Sequence, residues 1–147
     1  MPEGPEEPAA PGPDEETLAE AFWAVARRLR HTTHEIVTPL GVTPGQARAL
    51  GVLRRHGEMR LSEVAHHLRI APRSGTEVID GLEELGLVAR SPDPADRRAV
   101  LVALTDAGAE LAAAIGAARA QEAEVFFARL DDDDRATLAR ILRSLRP

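Results

Sequence analysis

The chain has 147 residues, and with 44% apolar and 29% charged residues it reads as one soluble, globular domain with room for a real core. It contains no cysteine, which excludes disulfides, thiol nucleophiles, cysteine metal sites and thiol-based redox sensing. The net charge of −6 is uneven: residues 1–47 hold 3 Arg against 8 acids, residues 48–105 hold 9 against 8, and residues 106–147 hold 6 against 8. The middle is the least acidic part, yet it is too nearly neutral for charge alone to imply nucleic acid.

Residues 1–13, MPEGPEEPAAPGP, cannot bury apolar surface and are expected to be a disordered tail. Being acidic and proline-rich, they do not read as a signal peptide. No stretch approaches the roughly 20 apolar residues of a membrane helix, so the expected location is the cytoplasm.

Asp14 is placed to cap a helix beginning at Glu15, with Leu18, Phe22, Val25, Leu29 and Ile36 on one apolar face. Pro39 and Gly41 end it. Thr43-Pro44-Gly45-Gln46 opens a second helix with a capping box and runs to His56. Met59-Arg60-Leu61 has the length of an edge strand. Ser62 is placed to cap a short helix over 63–68, three residues follow, and Pro72 opens another helix to Leu85, which Gly86 ends. Two short helices joined by a three-residue turn are a helix-turn-helix signature.

Residues 87–90 and 99–104 are strand candidates around a loop of seven or eight residues. Thr105 caps a long alanine-rich helix to about Arg129, and Asp131 to Asp134 open a last helix ending near Leu145. A helix-turn-helix followed at once by a hairpin is a winged helix. The fold class is therefore mainly α with a small β-hairpin wing, flanked by N- and C-terminal helices whose apolar faces want a two-fold partner. The expected division is a domain over 14–147, with a winged-helix lobe at 43–105 and dimerisation helices at 14–42 and 106–147.

The wing carries Arg97 and Arg98 side by side. A recognition helix lies in the major groove, and the hairpin beside it reaches the flanking minor groove, where arginine meets the strongest negative potential. Asp93 and Asp96 then read as organisers, because Asp-Pro favours a turn and a carboxylate can hold a guanidinium.

The stretch DPADRRAVLVALTDAG resembles the wing of the MarR family of bacterial transcriptional regulators, with its pattern D-x-R-x-x-x-V-x-L-T-x-x-G. Asp96, Arg98, Val102, Leu104, Thr105 and Gly108 carry the match. The preceding LSEVAHHLRIAPRSGTEVIDGLEELGLVAR is similar to the family's helix-turn-helix, including its closing L-G-L-V. The resemblance covers residues 14–145 and implies a two-fold dimer whose first and last helices intertwine. It also implies winged-helix DNA-binding lobes, and a small-molecule pocket between those helices and the lobe. It makes Arg98 the wing arginine entering the minor groove and Asp96 the carboxylate that orients it. Arg97 is then a phosphate contact. Pro72, Arg73, Ser74, Thr76 and Glu77, with Ser62, fall at the DNA-facing positions. Arg73 can donate two hydrogen bonds to a guanine, and Glu77 would repel phosphate unless it pairs with Arg73 or accepts from a cytosine amine. Gly75 departs from the bulkier residue usual in the family, which points to a less rigid helix.

Other clusters in the chain admit both a functional and a bland reading. His31 and His34 stand one turn apart, a spacing that can bind a metal, and His56, His66 and His67 are further imidazoles that could approach them in space. The bland alternative is polar positions facing a pocket or water. Phe22 and Trp23, with His31 and His34, could line the ligand pocket that the resemblance implies. The acidic run 131–134 lacks the alternating ligands and glycine of a calcium loop and suits a helix N-terminus. No phosphate loop, G-x-S-x-G or H-E-x-x-H motif is present, so no enzyme is expected and no cofactor is implied. The sequence thus points to a homodimeric repressor binding a pseudo-palindromic duplex operator and released by a small organic effector. A metal-responsive regulator using His31 and His34, or a winged-helix module that binds protein, are the alternatives.

Overall fold

The computed structural model describes residues 16–146. The expected tail 1–13 and the expected cap Asp14 lie outside them. Helix α1 (Leu18–Val37) is capped by Thr17, whose hydroxyl accepts from the Glu20 N–H while the Glu20 carboxylate accepts from the Thr17 N–H, a complete capping box. A 3-10 turn at Thr38–Leu40 and Gly41, at a left-handed φ of 75°, close it off. Helix α2 (Pro44–His56) has the capping box read from Thr43 and Gln46.

Strand β1 is only Met59–Arg60. Helix α3 (Leu61–Leu68) starts two residues earlier than expected, and its cap is Arg60, whose N–H donates to Glu63 Oε2 at 2.8 Å. Ser62 is therefore inside the helix and not its cap. The turn to helix α4 (Pro72–Glu84) passes through Arg69 in a left-handed conformation. Strands β2 (Val88–Asp93) and β3 (Asp96–Leu104) are both longer than the sequence suggested, so the connecting loop is the two residues Pro94-Ala95. Helix α5 (Asp106–Phe127) and helix α6 (Asp132–Ser144) complete the chain.

The three strands form an antiparallel sheet in the order β1-β3-β2. Met59 pairs with Val102, and Val88 to Pro92 run opposite Leu104 to Val100. The core lies where α2, α3 and α4 meet this sheet, with Leu50, Leu53, Val64, Ile79, Leu82 and Val102 fully buried. Each such side chain contributes about 1.5–3 kcal/mol by leaving water. The terminal helices contribute little to it: Val37 is the buried residue of α1, and α6 has none.

Two glycines set the fit of the lobe. A Cβ on Gly75 would stand 2.7 Å from the Ala65 Cβ, so glycine lets α4 approach α3 closely. Gly75, which the sequence marks only as a weak helix former, is thus the residue that permits close packing of the two helices. A Cβ on Gly108 would stand 1.9 Å from the Leu87 carbonyl oxygen. That glycine and Thr105 act together, because the Thr105 hydroxyl donates to the Gly86 carbonyl at 2.7 Å and accepts from the Gly108 N–H at 3.1 Å. The start of α5 is thereby locked onto the start of the hairpin.

Candidate nucleic-acid interface

Helix α4 begins differently from α1, α2, α5 and α6, each capped by a Thr or Asp side chain. Its N-cap is Ala71, which offers no side-chain acceptor, and Pro72 at the first position has no N–H to satisfy. The Gly75 N–H bonds to the Ala71 carbonyl, so the N–H groups of Arg73 and Ser74 are left without a partner inside the helix. Such donors at the positive end of a helix suit a phosphate.

Arg73, Ser74, Thr76 and Glu77 are all exposed on this first stretch. The Arg73 side chain is 92% exposed, with Nε 3.4 Å from Glu77 Oε1. Glu77 therefore stands one turn below the guanidinium and steers it without burying it. The Thr76 hydroxyl donates to the Pro72 carbonyl at 3.1 Å, which leaves its oxygen free to accept.

The hairpin carries its arginines on an irregularity. One step along β2, from Pro92 to Asp93, spans the whole of Val100 to Asp96 on β3. Arg97, Arg98 and Ala99 fall in that stretch and have no cross-strand partner on β2. An irregularity of this kind bends the strand and re-aims its side chains. Arg97 and Arg98 are both exposed, and neither takes part in an ion pair among the described residues.

The two aspartates act differently from each other. Asp96 Oδ1 accepts from the backbone N–H of Arg98 at 2.9 Å, so it orders the backbone at the arginine and not the guanidinium. Asp93 is buried and accepts from the Ala95 N–H at 2.8 Å, closing the turn. Its other oxygen accepts from Arg60 Nε at 2.7 Å. The Ala95 N–H, then the Arg60 guanidinium, hold the Asp93 carboxyl below its ordinary pKa against the opposing effect of burial. The Asp93 hydrogen bond and charge in turn raise the Arg60 pKa.

Arg60 and Arg90 were missed by sequence reading. Arg90, on β2, donates to both Asp80 and Glu83 of α4. Burial lowers its pKa, but the two carboxylates outweigh that and the net direction is upward. This clamp fixes the wing against the recognition helix. The signal was the acidic pair Asp80 and Glu83, three residues apart on one helix face, which calls for a basic partner. An open cleft of about 470 Å³ lies between α4 and the wing, lined by Ser62, Thr76, Arg60, Arg90, Asp96 and Arg98 among others. It brings the exposed wing and the recognition helix to one face.

The other candidates do not assemble into a single site. Phe22 lines an apolar groove of about 510 Å³ between α1, α5 and α6, with Leu18, Leu29, Phe126, Leu138 and Leu142. Trp23 meets Phe22 edge to face at 5.5 Å and is half exposed. His31 pairs with Glu35 at 3.5 Å, and His34 Nδ1 lies 3.3 Å from the Thr38 hydroxyl. His56 stacks on His67 at 4.4 Å between ring centres, and the His66 ring stands edge-on to His67 at 6.4 Å. No group of three or more His, Asp or Glu that could hold a metal occurs among the described residues. None of their helices is long and apolar enough to cross a membrane.

The profile of the MarR family matches residues 42–100, the lobe that carries this interface. An HTH-type transcriptional regulator of Mycobacterium bovis is 37% identical over 121 residues, covering 82% of each chain. The chain belongs to the MarR family. A putative regulatory protein for the hcr operon of Thauera aromatica is 34% identical, over 79% of this chain and 70% of that one. The HTH-type transcriptional repressor MdtR of Bacillus subtilis is also 34% identical, but the match spans only 58% of this chain and 55% of the repressor. Among solved structures, apo MarR from E. coli is similar with a TM-score of 0.80 at 27% identity, over 89% of this chain and 97% of that one. This MarR-family chain is a DNA-binding transcriptional regulator with a winged-helix lobe, and its relatives are regulators, not enzymes.

Proposed function

We propose that the protein is a homodimeric repressor that reads a pseudo-palindromic duplex operator and is released by a small organic ligand. The observation that carries the DNA-contacting face is the cleft that Thr76, near the uncapped start of α4, and Arg98 of the irregular wing line together. Arg73 and Ser74 enter the major groove, with Thr76 accepting beside them. Arg98 enters the minor groove, Arg97 meets a phosphate, and Ser62 lies at the edge of the same surface. Asp93 and Asp96 hold the wing in shape. The word repressor is supported by the name of the Bacillus subtilis relative.

Support for the dimer comes from apolar surface that a lone chain leaves in water. Leu18 at the start of α1 is 88% exposed, Val125 on α5 65%, and Leu145, the C-cap of α6, 73%. Helices over 18–37 and 106–144 are therefore the dimerisation elements, and 43–105 the lobe they carry. A two-fold axis places two recognition helices about 34–36 Å apart, one turn of DNA. The test is selection of bound fragments from random duplex DNA, with the stoichiometry of the selected complex measured by sedimentation. A near-palindrome bound by two chains is expected. A monomer on an unenriched pool would reject the reading.

A further inference from the structure

We propose that the cleft between α2 and α5 binds a small, multiply charged oxyanion through Arg54, Arg55 and Arg119. The cleft has a volume of about 430 Å³, and Ala47, Ala112 and Ile115 form its apolar wall. None of the three arginines takes part in an ion pair among the described residues. The Arg119 Nε is sealed from solvent and has no hydrogen-bond partner among the described residues. Burial pushes the Arg119 guanidinium pKa down. A buried donor left unpaired is costly, and a charged one more so. Arg54 also reaches across to α5: a Cβ on Gly116 would stand 2.9 Å from one of its terminal nitrogens, so glycine makes room for the guanidinium.

Charge and donor count choose the ligand class. Three guanidiniums in one cleft far exceed what a single monocarboxylate can satisfy. A phosphate monoester or a dicarboxylate brings about two charges and at least three acceptor oxygens, matching the planar donor forks of arginine. The apolar wall accommodates a short carbon body. The regulatory consequence rests on the ligand-release reading above. Helix α2 belongs to the DNA-binding lobe and α5 to the proposed dimerisation region, so an anion bridging them acts on the angle between the two.

The experiment is thermal unfolding and calorimetric titration of the full chain with inorganic phosphate and with malonate, against chloride at matched ionic strength. Phosphate, malonate or both should raise the Tm in a saturable way and chloride should not, and the stronger of the two identifies the source. Arg119→Gln should weaken that anion by at least about tenfold. It should also leave the anion-free Tm unchanged or higher, because an unpaired buried donor is removed. Arg55→Gln, at an exposed position, should weaken the anion without touching the fold, whereas Arg98→Ala on the wing should leave the response intact. No saturable rise, or an equal rise in both cleft variants, would overturn the site. So would a fall in the anion-free Tm of Arg119→Gln with its anion response preserved. In a parallel titration, the anion should weaken operator binding by the wild type and not by Arg119→Gln. Saturable binding with unchanged operator affinity would overturn the regulatory half alone, and would leave the DNA reading to its own selection test.

Discussion

Asp93 of β2 and Arg60 of β1 are joined by a 2.7 Å hydrogen bond, although β3 runs between their strands. The pair therefore ties the outer wing strand to the strand that leads into α3, across the width of the sheet. With the Ala95 N–H on the same carboxylate, one side chain fixes both the wing's turn and its lean.

Asp93→Asn is expected to loosen the wing while leaving Arg98 in place. Hydrogen exchange should quicken over residues 93–100, operator affinity should fall, and the rest of the lobe should keep its protection. The pH dependence has a definite sign. The Asp93 carboxyl is held below its ordinary value of 3.8, so its contribution is fully present above that value and is lost as pH falls through the lower folded value. The stabilities of wild type and Asp93→Asn should converge in that acidic window. A gap between them that persists unchanged to the lowest pH would contradict the role of the ionised pair.

Arg73→Ala is expected to relax selection at one base position in each half-site and to leave the others unchanged. The loss at that position should be about 1–3 kcal/mol of discrimination, the worth of a bidentate arginine–guanine contact. Comparing the motifs selected by the two proteins measures it. An identical motif would take Arg73 off the bases and onto the backbone.

Gly75→Ala separates close packing from helix propensity by sign. Propensity alone would stabilise α4 by about 1 kcal/mol. A methyl 2.7 Å from the Ala65 Cβ should instead destabilise, by about 1–3 kcal/mol of overpacking. Ala65→Gly in the same chain should recover part of the loss. Denaturant unfolding of the three variants decides it, and a more stable Gly75→Ala would reject the contact.

Gly108→Ala should be worse tolerated, because its Cβ would fall 1.9 Å from a backbone oxygen that cannot rotate away. The expected outcome is a lower unfolding midpoint and a hairpin displaced from α5. A wild-type midpoint would show that α5 can start elsewhere.

Much of the architecture was legible because the chain punctuates its helices strongly. Thr43 with Gln46, Pro72 and Thr105 mark helix starts that the structure keeps. The errors arose where tertiary pairing overrides local signals. Ser62 reads as a cap, but β1 places Arg60 in that position, with Glu63 closing the box. Pro92 and Pro94 suggested a long loop, yet an outer strand tolerates proline where no ladder N–H is required, so β2 runs through Pro92. The wing arginines could be found from sequence because their motif is local. Arg60 and Arg90 could not, because each finds its carboxylate only when strands and α4 pack together, 33 residues away in the first case and 10 and 7 in the second. Arg54 and Arg119 lie further apart still, and no periodicity links them.

The most direct test of the central claim is operator affinity over a range of salt concentrations for wild type and Arg98→Ala. Each phosphate neutralised by the protein contributes about 0.9 to the slope of log affinity against log salt on duplex DNA. A steep wild-type slope is expected, with Arg98→Ala binding more weakly to all sequences and with a slope shallower by about one such unit. Equal affinity and equal slope in the two proteins would remove the wing from DNA binding and contradict the account.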